Sequence, residues 1–190
     1  FRSEGGNGDH ARATADLNYQ LSDTAALRLN LMLTDTGTVD RDLVHSHRWG
    51  VAPSLALGLG TDTVATLAYI HQHSNNRPDY GRPVAGRPGS PSAYPVSEYG
   101  VPRSNFLGMT TDADRNDADI VTARIRHVAA DWLTLQNDAR AASYSRYFQY
   151  TSVDSCDTTC AGTLFSANPA ATLARSGGGV TYQQNSWSVQ

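Results

Sequence analysis

The chain has 190 residues, and its 15 strong bases, all Arg, stand against 18 acidic side chains for a formal net charge of −3. No basic block occurs, which removes the electrostatic footprint of a nucleic-acid-binding surface. No apolar run approaches the ~18 residues of a membrane-spanning helix, so any membrane role falls to strands or to a surface contact. Gly, Ser, Thr, Asn and Asp are plentiful while Leu and Ile are modest, which predicts an all-β chain of short strands and many turns. The length suits one domain, or one piece of a larger one. Phe1 to Asp9 has no basic segment followed by an apolar stretch and is not a signal peptide, so an exported protein with this start is expected to be a fragment.

In chain order, Ala11, Ala13, Ala15, Leu17, Tyr19 and Leu21 alternate with Arg12, Thr14, Asp16, Asn18 and Gln20, a period of two that predicts a strand. Ser22 to Thr24 turn the chain into a second strand, with Leu27, Leu29, Leu31 and Leu33 alternating with Arg28, Asn30 and Met32. A longer polar connection, Asp35 to Ser46, leads to a third strand in which Trp49, Val51, Pro53, Leu55, Leu57 and Leu59 share a face. Gly60 to Asp62 turn into a fourth, through Ala65, Leu67 and Tyr69. From about 75–116 the periodicity is lost in a long Pro- and Gly-rich loop, a length unusual in a compact domain. Val121, Ala123 and Ile125 then alternate with Thr122, Arg124 and Arg126, Ala129 to Asp131 turn, and Leu133 and Leu135 return against Gln136, Asp138 and Arg140. A second long loop, about 150–178, precedes a seventh strand over 180–190, and Gly177 to Gly179 read as its flexible end.

The connections run tight, longer, tight, very long, tight, very long. Antiparallel strands send alternate connections to opposite ends, so the tight turns lie at one end and the long loops at the other, as in outer-membrane barrels. Strands of about ten residues match a tilted bilayer crossing. A soluble sandwich shows the same alternation, with its apolar face inward. The polar faces favour the barrel: Arg12, Asp16, Arg28, Arg124, Arg126, Asp138 and Arg140 all lie opposite apolar positions and would line an aqueous lumen. Tyr19 near a tight turn, and Trp49 and Tyr69 near the loop end, would fall in the aromatic girdles.

Several stretches together resemble the barrel of TonB-dependent siderophore receptors, especially the branch handling catecholate iron complexes. They are Arg12 to Tyr19, Ala26 to Asn30, Arg48 to Leu55, Gly58 to Thr61, Asn76 to Gly81, Val101 to Phe106 and Asp117 to Asp119, and the likeness extends to about Tyr147. The resemblance implies a 22-stranded barrel around an N-terminal plug, of which the whole of residues 1–190 would supply about seven antiparallel up-and-down strands, without the plug or the C-terminal strands. It implies energy-coupled uptake of a ferric siderophore at the outer membrane of a Gram-negative bacterium. The expected partners are the ferric siderophore, the TonB complex through the absent N-terminal region, and outer-membrane lipid and lipopolysaccharide. Iron enters only with the cargo, no cofactor or resident metal is expected, and no reaction is catalysed. The rival readings are a passive porin-like or adhesive barrel and a soluble ligand-binding β-sandwich.

The candidate binding residues lie in the first long loop: Arg77, Arg82, Arg87 and Arg103 among Tyr80, Tyr94, Tyr99 and Phe106. A ferric tris-catecholate is anionic and aromatic, so guanidinium forks could pair with its oxygens and rings could stack on its faces. The bland alternative is that these residues fix Pro-rich turns. His45/His47 and His71/His73 share faces at i and i+2, but their parity matches Trp49 and Tyr69, on the outer wall rather than the lumen. Cys156 and Cys160 are expected to form a local disulfide, with free thiols as the alternative; a metal site would need further ligands nearby. No nucleophile elbow, metalloprotease helix or phosphate-cradling loop is present.

Overall fold

The computed structural model describes residues 2–5, 9–86, 92–155 and 174–190. Ten strands follow in order: β1 (Arg2–Gly5), β2 (His10–Ser22), β3 (Ala25–Gly37), β4 (His45–Leu57), β5 (Thr63–Asn76), β6 (Val84–Gly86), β7 (Ala93–Pro95), β8 (Ala113–Ala130), β9 (Leu133–Ser155) and β10 (Ala174–Val189). Eight of them form one sheet in the order β1-β2-β3-β4-β5-β8-β9-β10, every neighbouring pair antiparallel. The remaining two, β6 and β7, make a short ribbon inside the β5–β8 connection, followed by a 3-10 turn over Val96–Tyr99. The all-β, up-and-down architecture expected from the alternation is therefore present.

The tight turns do gather at one end, where Leu59 N donates to Thr24 O at 2.9 Å and Val128 N to Asp62 O at 2.8 Å. Gly58 makes the β4–β5 turn possible: its φ is +77°, and a Cβ there would sit 2.0 Å from the Thr63 carbonyl oxygen. At the opposite end the longer connections touch each other, with Asp42 N donating to Ser104 O at 2.6 Å and Arg77 N to His45 O at 2.9 Å.

Strands run further than the side-chain alternation does. The first long loop shrinks to 77–112, since β5 continues through His71, His73 and Ser74, and β8 begins at Ala113. At the second loop, β9 extends to Ser155 and β10 starts at Ala174, so Gly177 to Gly179 are strand residues and not a flexible end. These extensions carry no sustained apolar–polar alternation, so a period in hydrophobicity cannot mark them although the backbones still pair. The segment with Cys156 and Cys160 lies outside the described residues.

Register sorts the side chains onto two faces. Leu27 stands opposite Tyr19 and Leu55, Leu67 opposite Leu55 and Ala123, and Leu29 opposite Leu17 and Pro53. These rows are open: Leu17 is 55% exposed, Leu33 61% and Leu67 53%, and the buried apolar side chains among the described residues are only Val44, Val96, Ala113 and Ala142. Such a face requires an apolar phase to cover it.

Toward the loop end the same face turns polar along an oblique line. On β3 and β4 the change comes at Asp35 and His47, just above Leu33 and Trp49, which pair with each other. Trp49 also pairs with His73, and His73 with Asp117, so on β5 and β8 this row is already polar. There the apolar band begins only at the paired Tyr69 and Val121, with His71 and Asp119 above them. A boundary that steps down across neighbouring strands is what strands tilted by ~35–45° present to a membrane plane.

Candidate functional site

The opposite, polar face carries the expected lumen-lining residues. Arg28 makes a two-pronged pair with Asp16, Nε to Oδ1 at 2.9 Å and Nη2 to Oδ2 at 2.7 Å. Arg124 does the same with Asp138, at 2.5 and 3.2 Å, and Gln136 Nε2 adds a third donor to that carboxylate at 3.0 Å. Arg140 donates to the Tyr144 hydroxyl at 3.2 Å. Arg12 and Arg126 share this face and are exposed. Pairs this open hold side-chain geometry more than they stabilise the fold, each contributing roughly 0–1 kcal/mol.

At the loop end of this face, Arg146, Phe148 and Tyr150 stand at alternate positions of β9 and so point the same way. Arg146 is fixed by Asp114 of β8, Nε to Oδ1 at 2.8 Å and Nη2 to Oδ2 at 3.0 Å, and its guanidinium carbon lies 4.7 Å from the Phe148 ring centroid. Phe148 stacks on Tyr150 at 5.5 Å. Tyr80 descends from the β5–β8 loop to meet both rings, 4.9 Å from Tyr150 and 6.3 Å from Phe148. Gly178 of β10 pairs with Tyr150, and a Cβ there would lie 3.3 Å from the Tyr150 ring, so the glycine leaves that ring its space.

Desolvation pushes the Tyr80 phenol above its ordinary pKa; Tyr150, Asp114 and Asp112 push the same way and Arg146 opposes them. The phenol therefore stays a neutral donor near neutral pH. Three rings and one guanidinium form an open box suited to a flat, electron-rich, anionic guest.

The loop that delivers Tyr80 is tied down at three points. Arg41, from the β3–β4 connection, grips Asp79 with Nε at 2.6 Å and Nη2 at 2.7 Å and reaches the Arg103 carbonyl with Nη1 at 2.9 Å. Asp79 Oδ1 also accepts from the Gly81 amide at 3.0 Å, and Gly81, with φ +80°, reverses the chain between Tyr80 and Arg82. Asp112, only 3% exposed, accepts from the Thr151 amide at 3.0 Å, the Thr151 hydroxyl at 2.8 Å and the Met109 amide at 3.0 Å. Arg77 donates to the carbonyls of Leu43 and Thr110 at 3.3 and 3.2 Å.

Of the loop residues singled out by type, Tyr80 joins the box and Arg82 lines a small cavity beside it. Arg77 serves the loop backbone, which is the bland reading of that residue. Phe106 packs on Gly108, where a Cβ would meet its ring at 2.5 Å. The Arg103 side chain is exposed, Tyr94 sits exposed on β7, and Tyr99 lies in the 3-10 turn. Arg87 lies outside the described residues. Sequence reasoning passed over Arg41, Arg146, Phe148 and Tyr150. The alternation Arg146-Phe148-Tyr150 was an available signal, masked by Tyr147, which breaks the aromatic period.

The histidine pairs lie on the outer face; His45 Nδ1 lies 3.0 Å from the Leu43 carbonyl oxygen, and the other three bind carboxylates. His47 Nδ1 is 2.9 Å from Asp35, His71 Nδ1 2.8 Å from Asp119, and His73 Nδ1 2.6 Å from Asp117. The Tyr69 hydroxyl adds a bond to Asp119 at 2.5 Å, and Trp49 packs 4.8 Å from the His71 ring. The two pairs are staggered rather than level, since His47 pairs with Asn75 while Trp49 pairs with His73. Among the described residues no group of three or more His, Cys, Asp or Glu side chains is arranged to hold a metal ion.

No family model matches the chain. Over 147 residues it is 38% identical to the catecholate siderophore receptor Fiu of Escherichia coli K12, a match covering 75% of this chain and 19% of that protein. Over 143 residues it is 36% identical to the probable TonB-dependent receptor BfrD of Bordetella pertussis, covering 74% and 18%. The chain thus spans about a fifth of the length of these curated relatives. Among solved structures, the closed form of the ferric-catecholate import receptor Fiu from E. coli K12 superposes with a TM-score of 0.73 at 31% identity, over 93% of this chain and 25% of that one. The siderophore receptor PiuA from Acinetobacter baumannii superposes with a TM-score of 0.67 over 86% and 23%, and at 22% identity it speaks for the fold alone.

Proposed function

The chain is a homologue of the TonB-dependent siderophore receptors and carries an antiparallel stretch of their barrel wall, and on that premise we propose that it serves energy-coupled uptake of a ferric siderophore of catecholate type. The observation that carries this reading is the box of Tyr80, Phe148 and Tyr150 beside the Arg146–Asp114 pair. A ferric tris-catecholate offers flat rings for the aromatic faces and negative charge for the guanidinium.

In this reading the box and the loops above it capture cargo at the cell surface, and iron is cargo rather than a resident cofactor. The open Leu rows face outer-membrane lipid, and the polar line above them meets the lipopolysaccharide headgroups. The TonB complex acts through a part of the receptor outside these residues. The chain binds and conducts, and catalyses nothing. The relatives described above support this over a porin-like or adhesive barrel and over a soluble sandwich.

The test is equilibrium binding of ferric tris(catecholate) to the full-length receptor and to its F148A/Y150A double variant. Removing two stacking faces should weaken binding by about tenfold or more, at ~0.5–1.5 kcal/mol per aromatic pair plus lost contact area. Equal affinity in a correctly inserted double variant would remove the box as the capture site.

A further inference from the structure

On the face of the sheet opposite the aromatic box, β4 opens with two histidines at alternate positions, His45 and His47. Alternate residues of a strand point the same way, and the two rings lie 4.7 Å apart, centroid to centroid, with their planes at 45°. Both rings are fixed through the same nitrogen. His45 Nδ1 lies 3.0 Å from the Leu43 carbonyl oxygen, and His47 Nδ1 lies 2.9 Å from Asp35 Oδ1. A carbonyl or ionised carboxylate oxygen only accepts, so Nδ1 carries the proton in both rings, and each neutral imidazole keeps its Nε2 lone pair for a Lewis acid. Histidines that ligate metals are oriented in this way, through the nitrogen that the ion does not use.

The spacing suits one shared ion. An imidazole bound at ~2.0–2.1 Å puts its ring centroid ~3.2 Å from the metal, so rings 4.7 Å apart subtend roughly 90–100° there. That is close to the angle between neighbouring ligands of a four- or six-coordinate ion. His45 stands opposite Gly37, and a Cβ on that glycine would lie 3.4 Å from Asp9 Oδ2, so a carboxylate occupies the place across the ladder from the imidazole. An open cavity of about 730 Å³ beside the ring is lined by Asp9, His10, Asp35 and Asp42 as well as His45. The one Arg that lines it, Arg41, is engaged by Asp79. The surroundings are therefore negative, which favours a cation. The other outer pair is built differently, since His71 and His73 each pack against Trp49, at 4.8 and 6.1 Å.

We propose that His45 and His47 chelate one divalent cation of the borderline class, Cu²⁺, Ni²⁺ or Zn²⁺, through their Nε2 atoms at the loop end of the outer wall. Imidazole suits these ions, whereas Ca²⁺ and Mg²⁺ take oxygen ligands. Two protein ligands leave the remaining coordination positions to water. The site shares no residue with the aromatic box and faces the other side of the wall, so it stands independently of how cargo is captured. It gives the receptor a place for an ion other than the iron that arrives as cargo.

Calorimetric titration of the full-length receptor with Cu²⁺, in the presence of excess Ca²⁺, tests this. H45Q/H47Q should weaken the binding of one Cu²⁺ equivalent by at least about tenfold, while H71Q/H73Q binds as wild type does. Pulsed EPR of wild type loaded with one equivalent of Cu²⁺ should show two coordinated imidazoles, a readout that does not depend on whether a variant folds. Binding by H45Q/H47Q equal to that of wild type overturns the proposal. So does loss of the site in H71Q/H73Q alone, which places the ion on the other pair. A wild-type spectrum without imidazole nitrogen overturns it too, as does a Cu²⁺ isotherm abolished by Ca²⁺, because oxygen ligands alone would then hold the ion.

Discussion

Arg41 and Asp79 lie 38 residues apart and close a two-pronged ion pair at 2.6 and 2.7 Å, with only 9% and 19% of their side chains exposed. This pair joins the β3–β4 connection to the loop that carries Tyr80. Removing Arg41 takes away two charge-assisted bonds and leaves Asp79 with the Gly81 amide, at a cost of about 1–3 kcal/mol. The cost falls on loop docking rather than on the sheet, whose ladders are untouched. R41A in the full-length receptor should therefore be nicked by protease within 77–112 at least about tenfold faster than wild type, with an unchanged melting temperature. Equal nicking rates would show that the pair does not hold the loop.

Asp112 governs a different point, the junction of the same loop with β9. Its carboxylate is the acceptor for the Thr151 amide and hydroxyl. D112A leaves those buried donors unsatisfied, about 1–3 kcal/mol each. Hydrogen exchange at the Thr151 amide should speed up by about tenfold or more, while amides near Ala139 and Ala141, deep in the β8–β9–β10 ladders, keep their protection. Unchanged exchange at Thr151 would mean that water or another acceptor replaces the carboxylate.

The two faces of the sheet should tolerate charge very differently. Leu67 and its neighbour Ala68 are adjacent on β5 but point to opposite sides. L67R puts a guanidinium into the apolar band near mid-height and should destabilise the folded receptor in a bilayer by about 2–4 kcal/mol. A68R, facing the polar side, should cost much less. Urea unfolding of the full-length protein in lipid vesicles measures both, and equal losses would contradict the assignment of faces.

Much of the wall was legible from local chemistry. The runs Ala11 to Leu21 and Leu27 to Leu33 alternate because consecutive side chains of a strand face opposite ways, and one of those sides is apolar. The alternation stopped at Tyr69 and Arg140 where the strands do not, because His71, His73, Ser143 and Ser145 stand where apolar residues would continue the pattern. There, hydropathy says nothing and only backbone pairing marks the strand.

The sequence by itself determined the two-faced strands, the gathering of short turns at one end and long loops at the other, and the resemblance that follows from their order, because each depends on residues a few positions apart. Tertiary structure alone decided which loop residues meet the wall. Tyr80 finds Phe148 and Tyr150 some seventy residues away, Gly178 makes room for the Tyr150 ring, and Arg41 meets Asp79 across two separate connections. Those contacts are set by how an aperiodic, Pro-rich loop closes in space, and no short-range pattern encodes that closure.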